Sequence, residues 1–155
     1  KILGPSKEFV ALTSPDGLIS ESGEFASLIL HIGFGDFDLI TTGDAQANQL
    51  SQNTQEFKKS LEVLQVPHHG SRTGLNEEIL KHLNPDIAVI SVGKNRYGHP
   101  RPEILSLLSK FNSKVLRTDQ DGSIKITTEG KTIKVEKINR LTVAIIRKLE
   151  EDLED

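Results

Sequence analysis

Apolar residues in this chain fall into short runs separated by polar and glycine-rich stretches, and the runs change period along its length. Residues 27–32 and 37–41 are apolar and joined by Gly33-Phe34-Gly35-Asp36, which reads as a β-hairpin. Residues 45–60 are polar and rich in the helix formers Gln, Ala, Glu and Lys, predicting a surface helix, and 61–66 return to a strand. A short helix is expected over 76–83. The continuous apolar run 86–92 has the character of a buried strand. Over 101–111, Ile104, Leu105, Leu107 and Leu108 recur at helical spacing, with Pro102 tolerated in the first turn. Late strands are expected at 114–116, 123–127 and 132–135, the last two joined by Glu129-Gly130. This alternation of strands and helices predicts an α/β architecture.

The two ends read differently. The first 25 residues are punctuated by Gly, Ser and Pro, with one short strand expected around residues 9–12. From Asn139 onward, Leu141, Ile145, Leu149 and Leu153 fall on one stripe, predicting an amphipathic tail helix over 138–155. Glu150, Glu151, Asp152, Glu154 and Asp155 oppose the dipole at its C-terminal end, so that end is expected to fray.

With 155 residues and 17.1 kDa, the chain is one domain or part of one. A net charge of -3 provides no global field toward nucleic acid or anionic membrane, although local basic patches remain open. Absence of Cys excludes disulfides and thiolate zinc sites, so any metal must sit on His and carboxylates. No apolar run reaches the roughly 20 residues of a membrane span. There is no Met, including an initiator, which points to a piece of a longer protein. The compartment stays open: part of a membrane protein outside the cytoplasm, secreted or cytoplasmic.

Three clusters end apolar runs. Asp44 follows Thr42-Gly43, where a carboxylate at a strand end can bind or bridge metal ions; alternatively it caps a helix starting at Ala45. His68 and His69 lie between Pro67 and Gly70-Ser71. Two successive residues of an extended chain face opposite ways, so one of the pair is expected to reach a metal. His99 sits in Lys94-Asn95-Arg96-Tyr97-Gly98-His99-Pro100-Arg101, where it can ligate metal or move a proton. Lys94, Arg96 and Arg101 can contact phosphate or form a solvated basic loop. His31 and His82 read as structural.

In series these clusters resemble the ComEC-type branch of the metallo-β-lactamase fold, the group containing the C-terminal domain of the competence DNA-uptake protein and stand-alone relatives. The resemblance runs from about residue 27 to 126 and rests on Ser27-Leu28-Ile29-Leu30, Thr42-Gly43-Asp44-Ala45, Val66-Pro67-His68-His69-Gly70-Ser71, Ile90-Ser91-Val92-Gly93, Asn95-Arg96-Tyr97-Gly98-His99-Pro100 and Arg117-Thr118-Asp119-Gln120-Asp121-Gly122. It implies an αββα sandwich, of which residues 1–137 are mainly the second half, and a site for two divalent ions, Zn or Mn. On this match Asp44 bridges the two metals, and the histidine pair supplies a ligand for the second, His68 being favoured over His69. His99, Asn95 and Ser71 line the substrate side. The family's first metal motif, His-x-His-x-Asp-His, is absent from this sequence. Either the other half of the domain lies outside the sequence, leaving the inner face of the sheet exposed, or this piece is non-catalytic.

The activity implied is metal-dependent phosphodiester hydrolysis, with DNA, as a single strand, or another phosphodiester as substrate, and with a parent that can carry a membrane channel. Asp44 and His99 are the expected catalytic residues, while Ser71, Lys94, Asn95, Arg96 and Arg101 are the expected substrate contacts. Two alternatives stand beside it. One is hydrolysis of a small-molecule ester or lactone on the same fold. The other is a metal-free DNA-binding or interaction module.

Overall fold

The computed structural model describes residues 1–13 and 26–139. The elements are β1 (Ile2–Gly4), α1 (Lys7–Thr13), β2 (Ile29–Phe34), β3 (Phe37–Thr41), α2 (Ala47–Thr54), β4 (Val63–Gln65), α3 (Glu77–Leu83), β5 (Ile87–Ile90), α4 (Pro102–Lys110), β6 (Lys114–Arg117), α5 (Thr118–Asp121), β7 (Ser123–Thr128) and β8 (Ile133–Ile138). A 3-10 turn, Pro67–Gly70, follows β4.

β1 to β6 form one sheet in sequence order. The β1–β2 and β2–β3 pairs are antiparallel, and every pair from β3 to β6 is parallel. Parallel neighbours need crossovers, and right-handed crossovers advancing in one direction put their helices on one face. Leu50, Ile79, Leu80, Leu83, Ile104 and Leu108 from α2, α3 and α4 accordingly pack on Ile40, Leu64, Ala88 and Ile90. Each fully buried Leu or Ile stabilises this layer by about 1.5–3 kcal/mol.

The opposite face carries Phe37, Val63, Ile87 and Leu116, against which Ile124, Ile126, Ile133 and Val135 of the β7–β8 hairpin pack. At the hairpin tip the Asp36 amide donates to the Gly130 carbonyl at 2.6 Å. Gly35, at φ 61°, allows that approach, because a Cβ there would lie 2.8 Å from the same oxygen. Toward β1, Ile2, Ile32 and Phe34 are exposed by 65, 49 and 58%.

The α/β alternation is observed, with several corrections. The expected strand at 9–12 is the helix α1, because the Ser6 hydroxyl accepts from the Phe9 amide and starts a helical turn that outweighs the β preference of Phe9-Val10. α2 covers eight residues rather than the whole of 45–60. Asn76 caps α3 by accepting from the Ile79 amide, and Asn84 ends it in the left-handed conformation at φ 42°. The hairpin turn is Gly35-Asp36, with Phe34 paired to Phe37. α5 was not expected, and it forms because Asp121 accepts from the Arg117 amide at 2.9 Å. Ile138, assigned to the tail helix, is the last residue of β8; residues 140–155 of that helix lie outside the described residues. Among the described residues no helix is long and apolar enough to cross a membrane.

Candidate functional site

Parallel strands present their C-terminal ends along one edge of the sheet, and ligands of such sheets bind there. Asp44 follows β3, the two histidines follow β4, and the loop carrying His99 follows β5. The topology thus brings the three sequence clusters to one place.

Asp44 does not cap a helix, since α2 starts at Ala47 with Gln46 as its N-cap. Its amide donates to the Ser27 hydroxyl at 3.1 Å, and the His68 amide donates to the Gly43 carbonyl at 3.0 Å. The β3 and β4 ends are therefore tied directly to each other.

The histidine turn departs from the extended chain expected of it. β4 ends at Gln65, and both His68 (φ 49°, ψ 44°) and His69 (φ 55°, ψ 23°) are left-handed. Two such residues in succession are strained for side chains with a Cβ, and strain of this kind concentrates at functional sites. The conformation places His69, rather than the favoured His68, beside Asp44, with Nε2 3.5 Å from Oδ1. His69 Nδ1 donates to the Ser91 carbonyl at 2.7 Å, which fixes the ring with Nε2 toward the carboxylate. His68 is held otherwise: Gln46 Nε2 donates to its Nδ1 at 3.2 Å, and its ring lies 5.9 Å from that of His99.

His99 is half-buried, and its Nδ1 is buried without a hydrogen-bond partner. Burial, then the charges of His68, Arg101 and His69, hold its pKa below the ordinary histidine value. Asn95 organises the loop, its Oδ1 accepting from the Tyr97 and His99 amides and its Nδ2 donating to the Gly93 and His99 carbonyls. A side chain so committed to its own loop is a scaffold more than the substrate contact expected of it. The loop is pinned to the histidine turn by the Arg101 amide donating to the Gly70 carbonyl at 2.9 Å. Ser71 is buried with its hydroxyl on Thr73, while Lys94 and Arg96 are exposed.

No protein-family model matches the chain. It is 39% identical over 114 residues to ComE operon protein 3 of Bacillus subtilis (strain 168), covering 72% of the chain and 15% of that protein. It is 31% identical over 119 residues to Recombination protein 2 of Haemophilus influenzae, covering 74% and 15%. With Competence protein ComA of Neisseria gonorrhoeae it shares 30% over 110 residues, covering 69% and 16%. These similarities relate the chain to competence proteins. The chain spans only 15–16% of the length of these relatives.

For this competence-protein relative, the fit of the site to a metal rests on its donor chemistry. Ligand atoms about 2.1 Å from one tetrahedral zinc lie about 3.4 Å apart, close to the His69–Asp44 separation. Among the described residues, however, no group of three or more His, Asp or Glu could hold a metal. Tight sites take at least three protein donors, so Asp44 and His69 fit as two donors of an incomplete set.

Sequence reasoning assigned no role to Ser27, Gln46 or Thr118, although Ser27 and Thr118 lie within the motifs of the resemblance. The Thr118 hydroxyl accepts from the Val92 amide at 2.7 Å and so fixes the β5 end that carries the Ser91 carbonyl. None of the three belongs to a chemically distinctive residue type; their roles come from strand pairing. His31 and His82, read as structural, bond to Asp38 at 2.6 Å and to the Thr54 carbonyl at 2.9 Å.

Proposed function

We propose that the chain is the substrate-side part of a metal-dependent phosphodiesterase of the metallo-β-lactamase fold, acting on single-stranded DNA during competence-type uptake. The observation that supports it best is the His69–Asp44 pair, oriented by the Ser91 carbonyl and flanked by His68, His99 and a basic loop. The names of two relatives, a recombination protein and a competence protein, agree with DNA as the substrate.

The chain's own groups have separable tasks. Lys94, Arg96 and Arg101 offset the charge of the diester. A neutral His99 is suited to accept a proton or to give a neutral hydrogen bond to a phosphate oxygen, rather than to act as a standing acid. Asp44 and His69 would be two donors of a metal set that further residues must complete.

Joining the chain to the preceding segment of the Bacillus subtilis relative tests this. Manganese- or zinc-dependent cleavage of a single-stranded oligonucleotide, lost in Asp44→Ala, is expected. Cleavage of lactones or thioesters but not of DNA would replace the reading with a small-molecule hydrolase. DNA binding without cleavage would leave an interaction module.

A further inference from the structure

Tyr97 stands out among the loop residues because it is a large aromatic left 72% exposed. Its ring lies nearly parallel to that of His99, at an interplanar angle of 18° and a centroid distance of 5.8 Å. That is an offset stack, the favoured arrangement of two aromatic faces. One face of the tyrosine is thus backed by an imidazole while most of the side chain stays in water.

The platform is built before any ligand arrives. Asn95 Oδ1 accepts from the Tyr97 amide at 3.1 Å and from the His99 amide at 3.0 Å, fixing the backbone on both sides of Gly98. Gly98 has φ 71°, a conformation that lets the chain reverse between the two rings. Beyond His99 the rings continue, with His68 5.9 Å from His99 and His69 6.4 Å from His68. A chain of ring contacts, stacked at Tyr97–His99 and edge-on beyond it, therefore links the exposed Tyr97 to the His69–Asp44 pair. Around it, Lys94 and Arg96 are exposed, and among the described residues neither pairs with a carboxylate.

An exposed aromatic face set among unpaired cations is what single-stranded nucleic acid requires: a ring for the base and positive charge for the backbone. A lactone or thioester needs neither. We propose that Tyr97 is a base-stacking residue, extending the Tyr97–His99 stack with a nucleobase of a single strand whose backbone passes along Lys94 and Arg96 toward Asp44. The inference rests on the nucleic-acid reading above and adds the residue that grips the strand. Stacking tolerates every base, so binding is expected to depend little on sequence.

Tyr97 is the chain's only tyrosine, and there is no tryptophan, so ultraviolet-excited emission near 300 nm reports this residue alone. The chain is titrated at low salt with a labelled oligothymidylate and with an abasic strand of equal phosphate number. Anisotropy follows binding, and tyrosine emission follows the ring. Quenching by oligothymidylate and little by the abasic strand is expected. With it, Tyr97→Ala should weaken oligothymidylate binding about five- to hundredfold, and Tyr97→Phe should keep most of it. Since the side chain is exposed, both variants should fold, which their circular dichroism checks. Binding that leaves the emission unchanged, or that Tyr97→Ala does not weaken, overturns the stacking role and leaves the nucleic-acid reading standing. No binding of either strand removes both.

Discussion

His69 Nε2 faces Asp44 Oδ1 across 3.5 Å, and the ring is turned that way by the Ser91 carbonyl on Nδ1. A backbone carbonyl that fixes one imidazole nitrogen while the other meets a carboxylate is the usual support of a metal-binding histidine. His68, one residue earlier, is instead engaged with Gln46 and His99.

Unequal roles follow for the two histidines. In the joined chain, His69→Ala is expected to lower zinc or manganese affinity by at least about 10–100-fold, with a smaller loss for His68→Ala. Calorimetric titration with each metal measures both. A larger loss in His68→Ala would restore His68 as the ligand that the strand-end reading favours.

Acid should weaken the fold through His99. Its folded pKa lies below the ordinary value of 6.5, so the unfolded chain takes up a proton that the folded chain refuses. Stability contributed above that value is lost as pH falls from 6.5 toward the folded pKa. Urea unfolding at pH 7.5 and pH 5 should show a smaller drop for His99→Asn than for the unsubstituted chain. An equal drop would show that other groups carry the effect.

Gly70 joins the two loops of the site. Its φ is 80°, and a Cβ there would sit 2.6 Å from the Cβ of Pro100. Gly70→Ala is expected to cost about 1–3 kcal/mol, from left-handed strain and a clash in a packed place. Thermal unfolding of the variant tests this; a melting temperature within a degree of the unsubstituted chain would mean that the turn relaxes freely.

At the far side of the sheet, Asp121 accepts from the Arg117 amide and meets Lys137 Nζ at 2.7 Å, joining β6 to β8. The Lys137 hydrogen bond, then that of the Arg117 amide, holds its pKa below the ordinary 3.8. The stability it contributes is complete above that value and is lost as pH falls through the folded pKa. Asp121→Ala should cost about 1–2 kcal/mol at pH 7 and make the loss below pH 4 shallower, as acid titration of the circular dichroism would reveal. An unchanged acid limb would assign that transition to other carboxylates.

How much could be read beforehand differs between the fold and the site. The apolar runs determined strands β2 to β6 of the main sheet and helix α4, because burial against a core imposes its period on the residues that face it, while helix-forming composition marked α2; the short edge strand β1 was not expected. Glycine, histidine and aspartate at the ends of those runs marked Asp44, His68, His69 and His99, since few other residue types carry that chemistry. The helix α1 was missed because its signal is a single capping hydroxyl on Ser6. Which histidine meets Asp44 was equally out of reach: two successive residues at positive φ reverse the outward alternation of an extended chain, and no residue type announces that conformation. The partners that orient the site, Ser27, Gln46 and the Ser91 carbonyl, come from distant turns of chain. Sequence alone therefore determined which residues are candidates for the chemistry of the site. Only the tertiary structure decided which atoms face each other, because facing is a property of strand register and backbone torsion rather than of composition.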